Sequence, residues 1–150
     1  EVGDSVDALA AAGLTVYIDA GHSNWGPPAE MAELLNRAGI ERARGFATNV
    51  SNYNNTDREQ YYANTISSFT NGAHYVIDTG RNGNGSTGEW CNPAGRALGA
   101  TPSASPSGSA QDANLWIKPP GESDGECNGG PVAGEWWNEN ALELAADAAR

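Results

Sequence analysis

At 150 residues the chain has room for one ordinary domain with a real core and does not require two. Nineteen acidic residues against eight basic ones leave a net charge of -11, and no Lys/Arg cluster offsets it, which excludes nucleic acid and anionic membrane surfaces as partners. The apolar runs are short and broken by charge, so no membrane span is expected, and the N-terminal EVGDSVDALAAAG lacks the basic region that opens a signal peptide.

Val2, Val6, Leu9 and Gly13 fall at helical spacing and predict a helix that stops at Gly13, with a strand, Thr15 to Asp19, directly behind it. PPAEMAELLNRAG opens on prolines suited to a first turn, sets Met31, Leu34, Leu35 and Ala38 on one face, and closes on Gly39. A strand is expected in RGFATNV, a helix from Thr56 or Asp57 through Phe69, and a strand in HYVID. A long Gly/Ser/Pro-rich stretch follows, in which TPSASPSGSA reads as a mobile loop. NLWIK is the fourth expected strand, and WWNENALELAADAAR the last helix, with Trp136 and Trp137 at its start as packing residues. Strands alternating with helices predict an α/β fold with a parallel sheet.

In such folds functional groups collect beyond the C-terminal ends of the strands. Here those ends carry Asp19, Asn49, Asp78 and Lys118. Four polar residues at equivalent places are hard to attribute to core packing. Trp116 alternates within a strand and reads as core, whereas Trp25 and Trp90 lie in polar, glycine-rich loops on the predicted rim. Exposed aromatic faces beside Asp, Asn and Glu suit sugar rings, whose C–H faces stack while their hydroxyls take hydrogen bonds. His22, three residues after Asp19, fits a sugar-hydroxyl contact at least as well as it fits a turn cap.

GNGSTG, Gly83 to Gly88, has the spacing of a dinucleotide fingerprint but no helix after it and no ribose-binding acid about 20 residues on, which excludes a nucleotide site. No nucleophile elbow accompanies His22, and His74 opens a strand away from the rim, which argues against serine hydrolysis. KPPGESDGEC gathers Lys118, Glu122, Asp124 and Glu126; the ordinary fate of such a run is a solvated acidic loop. Prolines 119 and 120 stiffen it, and Lys118 is placed to bias the ionisation of its carboxylates. Cys91 and Cys127 have no further partner at metal-ligand spacing, so one disulfide, and with it an oxidising extracellular compartment, is expected and zinc is not.

DAGHSNW, ATNVSNYN, DTGRNGNG with EWCNP, and LWIKPPGESDG together resemble the C-terminal half of glycoside hydrolase family 6, the inverting cellulases that include endoglucanases and cellobiohydrolases. The likeness runs from about Ala8 to the C-terminus. It implies a distorted parallel (β/α) barrel, of which this chain covers about half, and hydrolysis of β-1,4-glucan without metal or cofactor. Carried over by motif position, Asp124 is the candidate general base, acting directly or through a relaying water, and Asp19 is an active-site carboxylate that binds sugar or tunes charge. Lys118 and Glu122 are implied to hydrogen-bond the glycon side, where Trp90 stacks. His22, Trp25 and Asn52 serve sugars around and beyond the cleavage point, and Cys91–Cys127 is the family's second disulfide.

The family's proton donor is an aspartate in a block ending in Asp-Cys, with a second aspartate further upstream, and neither block occurs in this sequence. The expectation is therefore half of an inverting apparatus, which needs both an acid and a base. Its upstream half is expected either on the same polypeptide or as a separate partner that covers the open sheet edges. Only Gly125 and Glu126 separate Asp124 from Cys127, where tunnel-forming cellobiohydrolases carry a longer loop, so the resemblance points to an open cleft and internal cleavage by a secreted enzyme. The alternatives are a cellobiohydrolase of the same family and a non-catalytic half barrel that binds carbohydrate.

Overall fold

A computed structural model describes residues 1–148. Helix α1, Val2–Ala11, ends where Gly13 takes a φ of 82°, with Gly13 N donating to Ala10 O and Leu14 N to Leu9 O. These paired bonds satisfy carbonyls left over at the helix end, and the positive φ is why a glycine stands there. Of α1's apolar residues only Val6 is buried; Val2 and Leu9 face solvent.

Strands β1 (Tyr17–Asp19), β2 (Gly45–Thr48) and β3 (His74–Asp78) are joined by helices α2 (Pro28–Ala38) and α3 (Thr56–Phe69). A two-residue strand β4 (Ser103–Ala104) and then β5 (Gln111–Leu115) follow, and helix α4 (Asn138–Ala146) closes the described chain. The sheet order is β1-β2-β3-β5-β4, parallel except for β4, which pairs antiparallel with β5. The β1-β2-β3 crossovers run in one direction with no reversal of order, so α2 and α3 fall on the same face, as in a barrel wall. Phe46, Tyr75 and Ile77 point to that face and pack with Ala32 and Leu35 of α2 and Tyr62, Ala63 and Ile66 of α3. The alternate positions, Ala47 and Val76, point the other way. With Tyr17, Asp19, Val50, Leu115 and Ile117 they line an open concavity of about 310 Å³.

Five local expectations are corrected. The fourth long strand is Gln111–Leu115, three residues earlier than NLWIK, because a bulge at Asp112 shifts the register: Tyr75 pairs with Gln111 and Val76 with Ala113. Trp116 and Lys118 therefore lie beyond the strand, and the Trp116 indole N–H bonds Ala100 O at 2.9 Å instead of joining the core. The loop TPSASPSGSA is partly β structure, since Ser103 and Ala104 pair with Asn114 and Ala113. The last helix begins at Asn138, after both tryptophans; Trp136 is exposed and lies across Gly121, while Trp137 is half-buried. Residues 149 and 150 of that expected helix lie outside the described residues. On α2, Leu34 faces solvent, and Ala32 takes the buried place expected for it.

The bulge also aims Asp112 at the N-terminal end of the sheet. It accepts from Tyr17 Oη at 2.6 Å and from both Nε and Nη2 of Arg44 at 2.9 Å, and stands 3.0 Å from His74 Nδ1. One carboxylate thus ties β1, β3, β5 and the residue that leads into β2 together at the end away from the site. The Arg44 hydrogen bonds hold its carboxyl down to about 2, and burial with the Asp112 contact pushes the Tyr17 hydroxyl up to about 12.

Candidate active site

Asp124 is the convergence point at the C-terminal strand ends. Its Oδ2 accepts from the Tyr53 hydroxyl at 2.8 Å, Arg81 Nη1 at 2.9 Å and the Asn92 backbone amide at 3.0 Å, while Lys118 Nζ stands 3.2 Å from Oδ1. The side chains of Asp124 and Arg81 are 5 % and 2 % exposed, so this is a buried ion pair. Burial favours the neutral acid, but the Arg81 guanidinium, the Asn92 amide and the Tyr53 hydroxyl prevail and hold Asp124 below the usual carboxylate range. Burial also pushes the Tyr53 hydroxyl upward, against the pull of Arg81, whose guanidinium lies 4.4 Å above the Tyr53 ring centroid. Asp124 is held ionised, and Tyr53 is held as a donor to it.

Asn92 forms a two-way clasp with this residue. Asp124 N donates to Asn92 Oδ1 at 2.9 Å, and Asn92 Nδ2 donates to Gly125 O at 2.8 Å and Cys127 O at 3.1 Å. A disulfide joins Cys91 to Cys127, Cα to Cα 6.1 Å, so the Trp90 loop and the Asp124 loop are bound covalently as well. Trp90, two residues from Asn92, is 67 % exposed. Its neighbours Glu89 and Asn92 line a cavity of about 480 Å³ with Asn128, Trp137 and Glu143.

Asn49 and Asp78, both expected on the functional rim, are instead consumed internally. Asn49, in the left-handed region at φ 65°, donates through Nδ2 to Asn54 O and Asp78 O, both at 3.0 Å. Asp78 accepts from the backbone amides of Gly80 at 2.9 Å and of Ser51 and Lys118 at 3.1 Å. Burial raises its pKa against those three bonds, yet both oxygens are occupied. Asp78 is a strut that joins three loops and orients Lys118, whose Nζ also donates to Ser123 O at 3.3 Å.

The β1 loop forms a second group. Trp25, 69 % exposed, lies across Gly21, where a Cβ would overlap the indole, and its ring runs nearly parallel to that of His22 at 6.4 Å and 18°. Asp19 is exposed, accepts from Gly21 N at 2.9 Å, and borders the open concavity of the sheet, outside the Asp124 cluster. Asn52 is half-buried, with Oδ1 accepting from Tyr53 N at 3.2 Å. Glu122 is half-buried, and its backbone bridges to Trp136.

The sequence pattern of the glycosyl hydrolases family 6 matches residues 1–148. The chain belongs to that family. The match begins at residue 1, earlier than Ala8. Endoglucanase A of Cellulomonas fimi is 55% identical over 141 residues, 94% of this chain and 31% of the relative, and Endoglucanase 1 of Streptomyces halstedii is 44% identical over 86% of this chain and 41% of its own length. The solved endoglucanase Cel6 of Mycobacterium tuberculosis, in complex with methyl-cellobiosyl-4-deoxy-4-thio-beta-D-cellobioside, superposes with a TM-score of 0.92 at 51% identity, covering 97% of this chain and 52% of that one. The chain thus spans about half or less of the length of these family 6 relatives.

Within this family 6 chain, the fold gathers Lys118, Asp124, Cys91 and Cys127 and keeps Asp19, at the end of β1, with His22 and Trp25 of the following loop, apart from them. Sequence inspection missed Tyr53, Arg81 and Asn92 around Asp124. Arg81 had one signal, a cation three residues past a strand end in a chain with only eight lysines and arginines. Tyr53 and Asn92 had none, because their partner lies 71 and 32 residues away. Among the described residues no group of three or more His, Cys, Asp or Glu could hold a metal ion, and no helix is long and apolar enough to cross a membrane.

Proposed function

We propose that this chain is the C-terminal part of one glycoside hydrolase catalytic domain, and that the complete, secreted enzyme cleaves internal β-1,4 bonds of cellulose or related glucans with inversion. The carrying observation is Asp124: a carboxylate kept charged at the strand-end rim by Arg81, Lys118, Tyr53 and the Asn92 amide. Inversion needs one carboxylate on the water side and one acid on the leaving oxygen, roughly 6.5–9.5 Å apart. Asp124 supplies the former. Three donors fill its Oδ2, so the proton of the attacking water is delivered through an intervening water to Oδ1, and the carboxylate stabilises the positive charge that develops on the sugar ring. Asp78 does not supply the latter, since its oxygens are bound to three backbone amides. The proton donor comes from the part of the domain upstream of this chain.

Lys118, Glu122 and Trp90 bind the glycon side, and His22, Trp25 and Asn52 bind sugars around and beyond the cleaved bond, with Asp19 as a further charged contact. The cello-oligosaccharide analogue in the related Mycobacterium tuberculosis structure and the endoglucanase relatives support a β-1,4-glucan substrate. The disulfide supports secretion. The short Gly125–Glu126 link and the openly exposed Trp25 and Trp90 support an open cleft.

The test is hydrolysis of soluble carboxymethylcellulose by the purified chain, following viscosity and reducing ends together. Hydrolysis by this chain alone overturns the upstream proton donor; a viscosity drop ahead of reducing ends then reports internal cleavage, and reducing ends without that drop report chain-end cleavage. Binding of cello-oligosaccharides without hydrolysis supports a sugar-holding half that needs an upstream acid. The absence of both binding and hydrolysis overturns the proposal.

A further inference from the structure

We propose that Arg58 and Glu59, adjacent residues on α3, lock His22 in the tautomer that carries its hydrogen on Nε2, so that the ring presents a sugar with a donor and not an acceptor. The functional half of this statement rests on the proposal that His22 binds sugar; the tautomer itself does not.

A group of unambiguous polarity starts the chain of constraints. Arg58 can only donate, and its Nη2 lies 2.7 Å from Asn24 Oδ1, so that atom is the carboxamide oxygen. The Asn24 amide nitrogen then faces Asn54, donating from Nδ2 to Asn54 Oδ1 at 3.1 Å. Asn54 is thereby turned with its NH₂ toward Glu59 Oε2 at 3.4 Å, Ser23 Oγ at 3.3 Å and His22 Nδ1 at 3.3 Å. Glu59 constrains the same carboxamide from the other end. It is fully buried, accepts from Ser23 N at 3.2 and 3.1 Å through its two oxygens, and has Oε2 3.4 Å from the Asn54 amide nitrogen.

His22 Nδ1 consequently faces two N–H donors, the Asn54 side chain and the Asn24 backbone amide at 3.2 Å. The backbone amide cannot reverse its polarity. A hydrogen on Nδ1 would point into both donors, so the ring's hydrogen resides on Nε2. Arg58 and Glu59 are positioning residues: neither touches the ring, and both act through carboxamides whose orientation they set. Glu59 divides its hydrogen bonds between the Ser23 backbone amide and the Asn54 carboxamide, which accounts for a side chain buried beneath the loop that carries His22.

The test uses this chain labelled with ¹⁵N-histidine. It contains two histidines, so His22→Gln assigns the spectrum outright. In mildly alkaline buffer the long-range ¹H–¹⁵N pattern of His22 is expected to show the Nε2–H tautomer. In Glu59→Gln the Asn54 carboxamide loses one of its two restraints, and the Nδ1–H form is expected to rise to about one tenth against the opposing Asn24 backbone amide, the shift that loss of one modest hydrogen bond produces. The exposed Arg58→Ala variant is expected to move the ratio in the same direction by less. A wild-type Nδ1–H ring, or a folded Glu59→Gln protein with an unchanged ratio, overturns the proposal. If Glu59→Gln does not fold, the wild-type spectrum and Arg58→Ala decide it. Titration with cellotetraose, its binding followed by tryptophan fluorescence, separates the two layers: bound sugar that leaves the His22 signals unmoved removes His22 from the sugar site while the lock stands.

Discussion

Arg81 Nη1 donates to Asp124 Oδ2 over 2.9 Å, and the same guanidinium donates from Nη2 to Ser51 O at 2.7 Å. One buried cation therefore neutralises the rim carboxylate and anchors the loop after β2. Arg81→Ala leaves Asp124 buried without its main counter-ion, which costs about 3–5 kcal/mol, a large share of a domain's stability. Urea unfolding should show the midpoint falling sharply, with Asp124→Asn recovering part of the loss in the Arg81→Ala background. Additive effects of the two substitutions would mean that the pair is not coupled.

Acid should destabilise the fold in a defined window. Asp124 and Asp112 have folded pKa values below their unfolded ones, so both contribute stability above the unfolded value of about 3.9. That contribution is lost as pH falls through the folded values, which for Asp112 means down to about 2. Asp78, raised by burial, has the opposite sign: its contribution favours folding below the unfolded pKa and is lost as pH rises through the folded one. Melting temperature measured from about pH 4 to 2 should fall in the wild type and fall less steeply in Asp112→Asn.

The Cys91–Cys127 bond closes a loop with a sequence separation of 36. Chain entropy alone assigns such a closure about 4 kcal/mol. Replacing both cysteines by serine should lower the urea midpoint accordingly. It should also loosen the Asn92 clasp on Asp124, seen as faster amide exchange at Asn92 and Asp124.

Trp90 is 67 % exposed and makes no core contact, so Trp90→Ala should leave stability within about 0.5 kcal/mol of wild type. Affinity for cello-oligosaccharides should weaken by roughly 1–3 kcal/mol, the loss of one stacking aromatic. Titration calorimetry that finds unchanged affinity would make Trp90 part of the scaffold.

Much of this protein is legible in its sequence. The helices α1 to α3 and strand β3 stand where apolar periodicity, helix-starting prolines and stop glycines put them, because those signals are local. The four ordered blocks led to the family for a related reason: each is a strand end with the loop it feeds, and its residues are contiguous. Where a nonlocal contact decided the outcome, inspection failed. β5 was displaced because a bulge at Asp112 serves Tyr17, Arg44 and His74, none of them near it in sequence.

Composition and motif order determined the fold class, the family and the residue types offered at the rim. Tertiary structure decided which of those residues remain free to meet a ligand. Asn49 and Asp78 look equivalent to Asp19 and Lys118 as polar strand ends, yet the first two are sealed against backbone groups of neighbouring loops. Asp124 is charged because Tyr53, Arg81 and Asn92 reach it from three other segments. The physical reason is the cost of burying an unsatisfied polar group: folding pairs each one with whatever donor or acceptor the packed chain brings within about 3 Å, and that partner is set in space, not in sequence.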